Sequence, residues 1–64
     1  MTVGELYRAI GKSQTVKLRQ GNNIYFYGIV NDIPLHYMDA TVKYFKADYD
    51  PRSESIYILM VLCE

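Results

Sequence analysis

The chain has 64 residues, half of them apolar, and seven Lys and Arg balance seven Asp and Glu. That length makes one domain, residues 1–64, near the lower limit for a core held without metals or disulfides. Zero net charge excludes the broad basic surface of a duplex-binding protein, and a single cysteine excludes an internal disulfide or a thiolate metal cluster. Neutrality also removes one barrier to self-association, because copies of the chain do not repel one another.

Residues 2–11, TVGELYRAIG, read as a short helix. Thr2 is a good N-cap, and Glu5 stands where its carboxylate can return a hydrogen bond to the cap. Val3, Leu6, Tyr7 and Ile10 make one apolar stripe, and Gly11 is placed to close the helix in a left-handed conformation. A helix this short needs a sheet to hold it. Thr15 to Gln20 alternates, with Val16 and Leu18 on one face and Lys17 and Arg19 on the other. Gly21 to Asn23 tolerates the positive φ of a hairpin connection, and Ile24 to Val30 is its partner strand. Gly28 marks a bulge or a close approach. In NDIPLHYMD, Pro34 can open one helical turn through Met38. Ala40 to Asp48 returns to strand composition, and YDPRSES around Pro51 is a loop.

The last strand, Ile56 to Cys63, is apolar at both parities. Ile56, Ile58, Met60 and Leu62 make one face; Tyr57, Leu59, Val61 and Cys63 make the other. One helix covers one face of a sheet, so the second face needs a curled sheet or another subunit. Leaving Leu59 and Val61 in water forfeits about 1.5–3 kcal/mol for each side chain. The expected fold is therefore α+β, a short N-terminal helix on a four-stranded antiparallel sheet in the order α-β-β-turn-β-β. A small Sm-like or SH3-like barrel is the alternative. Tyr57, Leu59, Val61 and Cys63 are the expected self-association surface, with a homodimer favoured.

Seven tyrosines stand out in so short a chain. If Val16, Leu18, Ile24 and Phe26 face the helix, then Lys17, Arg19, Tyr25, Tyr27 and Ile29 share the opposite face. Cations beside aromatic rings suit a protein interface, and they also suit stacked bases. The expected binding residues are Lys17, Arg19, Tyr25 and Tyr27, together with Leu35, His36 and Tyr37 of the IPLHY turn. No phosphate-binding glycine loop is present. Asp32, His36 and Asp39 lie close in sequence, but no nucleophile or second histidine accompanies them. Asp48, Asp50 and Glu54 lack the offsets and the glycine of a calcium loop. No catalytic residue, metal or cofactor is expected.

The segments MTVGELYRAI, GIVNDIPLHYMD, VKYFKAD and IYILMV resemble short proteins of phages and prophages of Gram-positive bacteria, through Thr2, Val3, Glu5, Leu6, Val30, Asp32, Ile33 and Pro34. The resemblance implies a phage accessory protein, a class that includes small inhibitors of host defence systems. Its partners would be a host protein or a sequestered small ligand, and nucleic acid is the alternative. The first block of the Sm-like RNA-binding fold is also similar, at Val16, Leu18, Gly21, Gly28 and Asp32. The family's base-reading Asn after that aspartate is replaced here by Ile33, Pro34 and Leu35, and its second block is missing. No uncharged run approaches the roughly 20 residues of a membrane helix, and no signal-like segment opens the chain. These features imply a protein of the bacterial cytoplasm with no membrane partner.

Overall fold

The computed structural model describes all residues, 1–64, and shows one short helix and a four-stranded sheet. Helix α1 spans Val3–Ala9, and strands β1 to β4 span Thr15–Gln20, Asn23–Ile29, Val42–Asp50 and Ser55–Leu62. Short 3-10 turns cover Val30–Asp32 and Leu35–Tyr37. The expected α+β class holds.

The capping box closes as the sequence implies. Glu5 N–H donates to Thr2 Oγ1 at 3.2 Å, and Thr2 N–H donates to Glu5 Oε1 at 2.9 Å. That backbone N–H holds the Glu5 carboxyl below its usual range. The other helix end differs from expectation. Ile10 turns extended and packs against the core, so Gly11 needs no left-handed conformation. Positive φ falls instead in the two hairpin connections, at Gly21 (+58°) between β1 and β2 and at Glu54 (+53°) between β3 and β4.

The sheet is mixed rather than wholly antiparallel. Its order is β2-β1-β4-β3, and the central pair β1–β4 is parallel. Two antiparallel hairpins lie side by side, so residues 30–41 must carry the chain from the end of β2 back along the sheet to the start of β3. A parallel neighbour requires such a crossover. The crossover joins the helix in a layer on one face: Val3 N–H donates to Ala40 O at 3.0 Å and Gly4 N–H to Met38 O at 2.9 Å. Tyr7 Oη donates to Asn31 Oδ1 at 3.0 Å. Beneath this layer Val3, Leu6, Val16, Leu18, Val30, Ile33, Val42, Met60 and Leu62 form the main core.

This order explains the strand without a polar side. β4 is central, with neighbours on both edges and no free edge of its own. Its second face carries Tyr57, Leu59 and Val61, each buried to 6–8 % exposure within the single chain. Leu59 stands in register between Lys17 and Lys46, and Val61 between Arg19 and Tyr44. Long flanking side chains lay their stems over apolar neighbours and keep their heads in water. The sheet stays open, with β2 and β3 at its edges, so no barrel forms. Of the residues expected to self-associate, Tyr57, Leu59 and Val61 are covered within the single chain, and Cys63 is exposed.

Candidate functional site

On the sheet face away from the helix, Lys17 of β1 stands between Tyr27 of β2 and Tyr57 of β4. Its Nζ lies 4.9 Å from each ring centroid, and the rings are 5.6 Å apart and tilted by 37°. Register produces this group: Lys17 is opposite Tyr27 in the antiparallel ladder, and alternation puts Tyr57 on the same face of β4. Both hydroxyls are tied down. Tyr27 Oη donates to Asp50 Oδ2 at 2.6 Å, and Tyr57 Oη donates to Asp48 Oδ2 at 3.3 Å.

The Tyr27–Asp50 bond joins the two outer strands of the sheet. Neighbouring strands lie about 4.7–4.9 Å apart, so in a flat sheet β2 and β3 would be separated by roughly 14 Å. The face must curl for the two side chains to meet. The curled face encloses a cleft of about 260 Å³ lined by Lys17, Tyr27, Tyr57 and the turn residues Tyr49, Asp50, Pro51 and Arg52. The hydrogen bond from Tyr27 holds the Asp50 carboxyl below its usual range, and Arg52 N–H, 2.9 Å from Oδ1, adds to that effect. The same bond pushes the Tyr27 phenol above its usual 10.0.

The seven expected binding residues do not form one site. Lys17 and Tyr27 meet in the cleft. Arg19 lies further along β1, in a smaller cleft of about 190 Å³ with Gly21, Lys43, Tyr44, Val61, Leu62 and Glu64. Its Nε is enclosed without a hydrogen-bond partner. Tyr25 leaves the face altogether. A register shift opposite Leu18 and Arg19 pairs Arg19 with Ile24, and Tyr25 stacks on Tyr37 with centroids 5.7 Å apart and planes 9° apart. Gly28 thus marks neither a bulge nor a close backbone approach, because the irregularity lies nearer the hairpin. Gly28 meets the Phe26 ring instead, 3.2 Å from where a Cβ would stand. His36 lies against Tyr37 at 4.2 Å, and Leu35 projects from the turn at 84 % exposure. Tyr25, His36 and Tyr37 thus form a second, separate group, with Leu35 beside them in the chain.

The β3–β4 turn was not expected to belong to a site, because DYDPRSES has the composition of an ordinary solvated turn. The available signal is Asp50, placed where a tyrosine of the opposite edge strand can reach it once the sheet curls. No group of three metal-ligating side chains comes together in the chain. No helix is long and apolar enough to cross a membrane. Comparison with known proteins finds no family model, no curated protein and no solved structure that matches the chain.

Proposed function

We propose that the chain is a non-catalytic binding protein, working as a small oligomer, which engages a partner protein through the Lys17–Tyr27–Tyr57 cleft. The supporting observation is Lys17 Nζ held over two rings whose hydroxyls are already fixed. Fixing the rings beforehand lowers the entropy lost when a partner docks. A volume of about 260 Å³ falls below the roughly 300–1,000 Å³ of small-molecule pockets, and suits one anchoring side chain of a protein. An aromatic anchor matches a cation framed by aromatic rings. Asp48 and Asp50 beside the rings disfavour a polyanion, which makes nucleic acid the weaker reading. The resemblance to phage and prophage proteins makes a host protein of a Gram-positive bacterium the proposed target, in the manner of an anti-defence inhibitor acting in the cytoplasm.

The test is affinity capture from a Gram-positive lysate by the wild-type chain and by Lys17→Ala, Tyr27→Ala and Leu35→Ala. The expected result is one enriched partner that the first two substitutions release and the third retains. Equal retention by all three variants would remove the cleft from the reading. Oligonucleotide binding that weakens steeply with salt and with Lys17→Ala would replace the protein target by a nucleic acid.

A further inference from the structure

Strand β3 forms one outer edge of the sheet, and most of it is exposed. From Tyr44 to Asp50 it reads Tyr-Phe-Lys-Ala-Asp-Tyr-Asp. About Ala47 the five residues Phe45 to Tyr49 are complementary under a two-fold, aromatic at both ends and oppositely charged beside the centre. Phe45 and Tyr49 flank Ala47 on the helix side of the sheet, and Lys46 and Asp48, of opposite charge, flank it on the other face.

We infer that this edge pairs with the same edge of a second copy, antiparallel, across a two-fold axis through Ala47. The inference rests on the oligomer proposed above and adds to it the edge, the register and the contacting residues. In this register Ala47 faces the partner's Ala47, each Lys46 lies opposite the partner's Asp48, and each Phe45 lies opposite the partner's Tyr49. Directly opposed side chains share a face, so both sheets keep their faces continuous. Opposite-charge and aromatic cross-strand pairs are the combinations that stabilise an antiparallel ladder.

Neighbouring registers fail on the same criteria. A two-fold centred on Lys46 sets two ammonium groups against each other, and one centred on Asp48 sets two carboxylates together. A centre on Phe45 places Val42 against the partner's Asp48. It also needs an edge position that is already taken, because Val42 N–H donates to Met1 O at 2.7 Å and Thr2 bridges Thr41. Charges on an edge strand ordinarily discourage pairing with a foreign strand. Here they discourage every partner except a strand carrying the complementary order, and an identical strand in two-fold relation carries it. The other edge, β2, is interrupted by the register shift near Tyr25 and offers no such symmetry.

The test uses the full chain with Cys63→Ser, to remove the exposed native thiol. Added Ala47→Cys should give a covalent dimer on mild oxidation, since opposed Cα atoms in an antiparallel pair lie about 4.5–5.5 Å apart, within the disulfide range. Lys12→Cys, in the loop before β1, should not. In light scattering, Lys46→Asp should weaken the dimer about tenfold by setting like charges opposite each other, and Lys46→Asp with Asp48→Lys should restore it. A dimer mass with neither cross-linking nor charge rescue would overturn this edge and register and leave the oligomer standing. A monomer at high micromolar concentration would overturn both.

Discussion

Tyr27 donates a 2.6 Å hydrogen bond to Asp50 and so ties the strand at one edge of the sheet to the strand at the other. Its two ends titrate in opposite directions. Asp50 is held below its usual range by the bond from Tyr27, so its contribution to stability is present above the unfolded-state value and is lost as acid protonates it. Tyr27 is raised above 10.0, so its contribution is complete below that value and is lost as the pH climbs through the folded-state value. Thermal melts should therefore hold a plateau at neutral pH and fall on both sides. Tyr27→Phe should flatten the alkaline fall and weaken the acid one, and an unchanged alkaline limb would show that the strap contributes nothing.

Lys17 stands in register with Leu59 and holds its Nζ over the Tyr57 ring, so its stem and its charge can be tested separately. Leu59→Ala should cost about 2–5 kcal/mol, as for other buried leucines. Lys17→Met keeps a stem of similar length and should leave the urea midpoint close to wild type. Lys17→Ala uncovers both neighbours and should cost on the order of 1 kcal/mol. Equal losses from Met and Ala would assign the effect to the ammonium group instead.

Thr2 has two tasks, capping α1 and bridging Thr41. Thr2→Ala removes only the first, since the bridge is backbone. The expected loss is about 0.5–2 kcal/mol. Amide exchange should locate it, with faster exchange at Glu5 N–H than at Val42 N–H.

The Tyr25–Tyr37 stack is separate from the cleft. Tyr25→Ala should therefore leave capture of the partner unchanged under conditions where Tyr27→Ala abolishes it. If both substitutions release the partner equally, the contact surface reaches the IPLHY turn as well.

Much of this fold is legible in the sequence, for local reasons. Thr2 and Glu5 announce the helix start, Gly21 announces the hairpin, and the doubly apolar terminal strand announces that both its faces need cover. Three features escape a reading by local pattern. Strand order depends on where residues 30–41 travel, and nothing in their composition fixes a direction. The register shift beside Leu18 moves Tyr25 to another face, although strict alternation groups it with Tyr27. The cleft itself depends on curl, which brings Asp50 to Tyr27 from a strand that pairs with neither β1 nor β2. Alternation correctly groups Lys17 and Tyr27, because no irregularity lies between them.

Placing the last strand at the centre also governs how the chain can acquire its structure. β1 gains its parallel neighbour only from β4, and Gln14 Nε2 reaches Ile56 O across 42 positions of sequence. Neither hairpin has a complete core alone, because Met60 and Leu62 supply the buried row between them. Contacts of such long sequence separation are slow to form, and they leave no stable smaller unit to form first. The molecule should fold in one cooperative step, slowly for its size, and a cut in the turn after Asp50 that releases β4 should dissolve both hairpins together.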